Sequence, residues 1–174
     1  MNLFYSIGNK NIIAAVALLL SFLSANAQRQ SDPPPMKPGL QINGDLLMQK
    51  ITESDKDLVF KQQKDIDHLP CFLAANTYQT KVKLVGKPTE LISVQWTFVF
   101  NADNDVNTLE LEKMAWFASI IGKKEGVDWF MTTLDEVKKN TNPVNQTRNF
   151  NFNRKGTISY LPGDPFFTLT FTTL

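Results

Sequence analysis

The chain has 174 residues, of which 18 are Lys or Arg and 17 are Asp or Glu, for a formal net charge of +1. That balance gives no electrostatic reason to expect nucleic acid or an anionic membrane as a partner. Cys71 and His68 are the only residues of their kinds, so an intrachain disulfide and a structural zinc site with four N or S ligands are both excluded.

The first segment has the pattern of a secretion signal. Lys10 is the only charge before Arg29, an apolar run extends from Ile12 to Leu23, and Ala25-Asn26-Ala27 offers small side chains to a peptidase. The run is shorter than the roughly 20 apolar residues that span a bilayer. The expectation is therefore cleavage after Ala27 and export to the periplasm or the cell exterior, with no stable membrane span in the mature form. Residues 28–39, with Pro33-Pro34-Pro35 and Pro38, read as an extended linker. Residues 40–174 have the size of a single domain with its own core.

Between Leu40 and Leu69 the pattern is mixed. Leu46, Leu47 and Ile51 suggest a short helix, Leu58 and Phe60 alternate like a strand, and Ser54-Asp55-Lys56-Asp57 reads as a turn or a helix start. Beyond Asn76 the alternation is clear. Tyr78, Thr80, Val82 and Leu84 face one way, and Gln79, Lys81 and Lys83 the other. Gly86-Lys87-Pro88-Thr89 then supplies a turn. Ile92, Val94, Trp96, Phe98 and Phe100 alternate with Ser93, Gln95 and Thr97, completing a hairpin with one buried side.

Two helices are expected next. Asn107 through Glu110 fits a capping box, Leu111, Met114, Ala115, Ala118 and Ile121 form a stripe, and Gly122 is a stop. Val127, Phe130, Met131, Leu134 and Val137 form the stripe of the second, which Asn142-Pro143 closes. Strands follow: Phe150 and Phe152 alternate with Asn149, Asn151 and Asn153. Ile158 and Tyr160 make a second strand. Phe167, Leu169 and Phe171 alternate with Thr168, Thr170 and Thr172 after the turn at Pro162-Gly163-Asp164-Pro165. The expected fold is α+β: an antiparallel sheet with elements in the order ββ-αα-βββ and two helices packed on one face.

Candidate chemistry is sparse. His68 and Cys71 are separated by Pro70, which spoils a helical dyad. Asn101, Asp103, Asp105, Asn107 and Glu112 have the spacing of a calcium loop, but Val106 stands where such loops need Gly, and a capped strand-to-helix turn accounts for the same residues. No other cofactor is expected. Glu110, Glu112, Asp128, Asp135 and Glu136 read as solvated helix positions rather than a catalytic pair. No phosphate-cradling or dinucleotide motif is present.

The most distinctive feature is the second face of the sheet. Gln95, Thr97, Asn149, Asn151, Asn153, Thr168, Thr170 and Thr172 would line it with hydroxyl and amide groups, joined by Ser93. Such a face can hydrogen-bond a protein or a carbohydrate without desolvating charge. A helix pair followed by strands resembles β-lactamase-inhibitor-like and nuclear-transport-factor-like modules, but no diagnostic motif of either is present and no residue role carries over. The expectation is an exported, non-enzymatic binding or structural module. The alternatives are a small enzyme with a pocket between sheet and helices, and a calcium-stabilised domain.

Overall fold

The computed structural model describes residues 38–139 and 142–174. The expected secretion signal and the linker up to residue 37 lie outside the described residues. Seven strands form one antiparallel sheet: β1 (Lys61–Ile66), β2 (Leu69–Ala75), β3 (Lys81–Lys87), β4 (Glu90–Val99), β5 (Val144–Phe150), β6 (Arg154–Tyr160) and β7 (Phe166–Thr173). Their order across the sheet is β1-β2-β3-β4-β7-β6-β5, so two meanders meet where β4 pairs with β7. Helix α1 (Gly44–Ser54) precedes the sheet, and α2 (Asn104–Lys139) connects the two meanders.

The fold is α+β, but its order is α-ββββ-α-βββ rather than ββ-αα-βββ. The added elements lie in the segment of mixed pattern. Strand β1 is exposed along its whole length, so it carries no alternation to read. In α1, Leu47 and Ile51 are buried one turn apart, and the Asn43 side chain caps the start by accepting the Leu46 N–H at 2.9 Å. The Asp55 N–H bonds the Ile51 carbonyl, so Ser54-Asp55 ends a helix rather than starting one.

One face of the sheet is apolar. Val94, Trp96 and Phe98 on β4 are buried beside their register partners Phe171, Leu169 and Phe167 on β7, and Ile158 on β6 continues the layer. Side chains of α2 pack on it: Trp96 lies 5.3 Å from Phe117, Trp129 5.5 Å from Phe150, and Phe130 6.1 Å from Phe167, measured between ring centroids. Each fully buried ring stabilises the fold by about 2 kcal/mol.

Three side chains depart from simple alternation. Tyr78 is half-exposed, because β3 starts only at Lys81 and Gln79 turns the chain with a φ of 64°. Ile92 leaves the inner face because β4 bulges: Val85 pairs with Ser93 but Gly86 pairs with Leu91, so Leu91 takes the inner position and Ile92 turns outward. Gly86 permits this with a φ of 117°, since a Cβ there would lie 2.5 Å from the Glu90 carbonyl oxygen. Phe152 is exposed because β5 ends at Phe150, and Asn151-Phe152-Asn153 forms the turn into β6, with positive φ at Phe152 and Asn153.

The two expected helices form one element with a break at Lys123, whose φ of 57° and ψ of −150° are not helical. The chain folds back tightly there, and a Cβ on Gly126 would lie 2.6 Å from the Ala118 carbonyl oxygen. The break leaves the carbonyls of the preceding turn without their usual partners, and Arg154 at the start of β6 answers one of them. Its buried guanidinium donates from Nη1 to the Ile121 carbonyl, from Nε to the Leu40 carbonyl at 2.8 Å, and from Nη2 to the Gln41 carbonyl at 3.4 Å.

Two outcomes follow. Lys123 occupies backbone space that suits glycine, so Lys123→Gly should stabilise the protein by about 1 kcal/mol, read as a higher urea midpoint. Arg154→Met keeps the bulk but strands buried carbonyls, and should cost about 3 kcal/mol in the same titration. An unchanged midpoint for Arg154→Met would show that those bonds contribute nothing net.

Candidate functional site

The second face of the sheet is half-exposed where the sequence places hydroxyls and amides. By register, Ser93, Gln95 and Thr97 on β4 stand opposite Thr172, Thr170 and Thr168 on β7. These in turn stand beside Lys155, Thr157 and Ser159 on β6. Thr97 and Thr168 hydroxyls lie 3.2 Å apart and share a hydrogen bond. Asn149 joins this face on β5 through its pairing with Lys155. Asn151 and Asn153 do not. Both sit in the β5–β6 turn, where the Asn153 amide reaches the Leu174 carbonyl at 3.4 Å. The chain needed those residues to reverse direction, so they could not continue the strand.

The face is also less neutral than the sequence suggests. Strand β3 contributes Lys81 opposite Thr97 and Lys83 opposite Gln95, and β6 contributes Lys155. Toward the β1–β2 hairpin the surface becomes apolar. A recess of about 280 Å³ is lined by Ile66, Leu69, Val85 and Ile92, with Lys83, Ser93, Gln95 and Thr170 as its polar wall and Asp67 at its edge. Three of the residues singled out from sequence, Ser93, Gln95 and Thr170, therefore border a concavity. Its apolar half went unseen because it depends on the β4 bulge and on a hairpin that the sequence pattern did not resolve.

The other sequence candidates fall elsewhere. His68 is exposed in the two-residue turn between β1 and β2, where Asp67 and His68 have φ values of 50° and 64°, while Cys71 is buried on β2. In the Asn101–Glu112 segment the oxygens serve the backbone. Asn101 Oδ1 accepts the Asp103 N–H at 3.0 Å, Asp103 Oδ1 accepts the Asp105 N–H at 2.9 Å, and Asn107 Oδ1 accepts the Asn101 N–H at 2.7 Å. Helix α2 thus begins at Asn104, capped by Asp103 rather than by Asn107. Among the described residues no three of His, Cys, Asp or Glu come together in a way that could hold a metal ion. No described helix is long and apolar enough to cross a membrane. Asn145, of the Asn145-Gln146-Thr147 sequon, is exposed on edge strand β5.

A buried ionic cluster lies apart from this face. Glu110 is not solvated as its helical position suggests: it is 1% exposed, accepts the Thr80 hydroxyl at 2.7 Å and pairs with Lys113 at 2.8 Å. Lys113 also reaches Asp55 at 2.8 Å, and Asp55 accepts the Asn76 amide at 3.0 Å. The cluster joins the end of α1, the β2–β3 connection and α2. Burial pushes the Asp55 carboxyl up, but bonds from Lys113, Asn76 and the Asp57 N–H outweigh it and hold the carboxyl below its ordinary 3.8. Burial likewise pushes Lys113 down, yet its bonds to Asp55 and Glu110 leave it above 10.5. The residues span positions 55 to 113, so no local pattern could have revealed the cluster.

Comparison with family models, with curated proteins and with solved structures gave no match for this chain.

The cluster's pH dependence follows from those directions. A depressed carboxyl contributes stability above about pH 4, and that contribution is lost as pH falls through the folded value. A raised amine contributes below about pH 10 and loses its contribution as pH rises through the folded value. Unfolding free energy should therefore drop between pH 5 and pH 3, and Asp55→Asn should flatten that drop. Lys113→Met leaves the enclosed Glu110 without its cation and should cost about 3 kcal/mol at pH 7; urea titrations of both variants check this.

Proposed function

We propose that this chain is an exported, non-enzymatic binding module that holds a protein partner on the second face of its sheet. The observation that carries the reading is that this half-exposed face combines rows of hydroxyl and amide groups with an apolar recess at one end. Protein interfaces likewise combine an apolar patch with hydrogen-bonding surroundings. A carbohydrate fits less well, because sugar rings stack on aromatic side chains and the rows at the centre of the face have none. Export rests on the apolar run and the Ala25-Asn26-Ala27 site in the sequence.

Two measurements test the reading. Amino-terminal sequencing of protein recovered outside the cytoplasm should begin at Gln28; recovery of the intact chain from the cytoplasm would remove the export half. A photo-crosslinking residue at Thr170 should capture a discrete partner in cells, whereas one at Glu136, exposed on α2, should not. Thr97→Arg combined with Thr168→Arg should abolish the Thr170 product without lowering the urea midpoint. Equal capture from Glu136 would sink the assignment of this face.

A further inference from the structure

The strands of the sheet are almost free of acids. Among all seven, only Asp65 and Glu90 are acidic, whereas Lys61, Lys64, Lys81, Lys83, Lys87, Arg148, Arg154 and Lys155 are basic. Arg154 is buried against backbone carbonyls, but Lys61, Lys81, Lys83 and Lys155 have register partners on the second face: Leu73, Thr97, Gln95 and Thr172. None of these four amines has a hydrogen-bond or ion-pair partner among the described residues. Of the exposed acids, Glu112, Glu125, Asp128, Asp135 and Glu136 are on α2, and Asp65 and Asp67 lie on the β1–β2 hairpin. A chain of net charge +1 thus sets these four lysines, without ion-pair partners among the described residues, over the face that holds the recess, a local positive field.

Lys83 is the closest link between that field and the recess. It is half-buried in the polar wall, across from the apolar group Ile66, Leu69, Val85 and Ile92. Asp67 also borders the recess but makes no ion pair with Lys83. An occupant must therefore fill an apolar concavity and bring a negative charge to its wall. Single-stranded nucleic acid meets the second condition but is held by base stacking on aromatic rings, which the recess lacks.

Resting on the reading of this face as a protein-binding surface, we propose that the partner is an acidic segment. It seats a large aliphatic or aromatic side chain in the recess and sets an Asp or Glu carboxylate, within three residues of it, against Lys83. Charge complementarity directs the encounter, and the enclosed side chain slows release.

The test uses random sixteen-residue peptides displayed on phage, selected against the immobilised full-length exported protein. Enriched sequences should place Asp or Glu within three residues of Leu, Ile, Met or Phe. A synthetic peptide of that kind should bind roughly tenfold more weakly to Lys83→Gln. It should also weaken when salt is raised from 50 to 500 mM, and should be unaffected by Lys139→Gln on α2. Peptides without acidic enrichment, or equal affinity for the wild type and Lys83→Gln, would overturn the proposal while leaving the face as a docking surface. Selection of single-stranded oligonucleotides in preference to peptides, or Lys83-dependent dimerisation of the protein itself, would overturn it in favour of those occupants. If Thr170→Arg leaves the selected peptide's affinity unchanged, the assignment of the face fails as well.

Discussion

A single guanidinium ties together three parts of the chain that are far apart in sequence. Arg154 leaves the first position of β6 and ends among the carbonyls of Leu40, Gln41 and Ile121. No carboxylate meets it among the described residues, and burial lowers its pKa from the ordinary guanidinium value. Arginine tolerates this setting because it stays charged and presents several fixed donors to several acceptors at once. The Ile121 carbonyl belongs to the last turn before a helix break, where the partial negative charge of the helix dipole collects. The Phe152 ring lies 5.3 Å from the guanidinium carbon and adds a cation–π contact. Without this group, the Leu40 carbonyl near the amino-terminal end of the described chain and the Ile121 carbonyl at the helix break would lose this donor beside the core.

The break that Arg154 supports is a matter of length. Helix α2 has 36 residues, and an unbroken helix of that size would extend about 54 Å. Seven paired strands span only about 34 Å. By breaking at Lys123, the chain brings Phe117 and Ile121 from one half and Trp129 and Phe130 from the other onto the same aromatic layer. That arrangement leaves the inner face filled. The other side of the sheet is left to lysines, hydroxyls and the recess.

Much of this was legible in the sequence where one periodicity dominated. The alternation of Phe167, Leu169 and Phe171 with threonines fixes the faces of β7, and Val94, Trp96 and Phe98 do the same for β4. Legibility failed where the physical cause was non-local or where one residue broke the period. Strand β1 is exposed on both sides, so its formation rests on pairing with β2. Phe152 keeps step with Phe150 in sequence, yet the turn claims it. Glu110 reads as a surface acid, because the lysine and threonine that make its burial tolerable come from the next helical turn and from the β2–β3 connection. Of the second face of the sheet, Gln95, Thr97, Asn149, Thr168, Thr170 and Thr172 were readable from alternation, whereas the recess beside them required the bulge at Ile92.

The lysines gathered on one face have a consequence for how the molecule meets its surroundings. A body with 18 basic and 17 acidic residues drifts little in a uniform electric field. It does experience a torque, because Lys61, Lys81, Lys83 and Lys155 share the second face of the sheet. Near a negatively charged body it rotates before it touches, at separations up to the Debye length of about 8 Å. Most collisions with such a body would then begin with the strands in front and the helices behind.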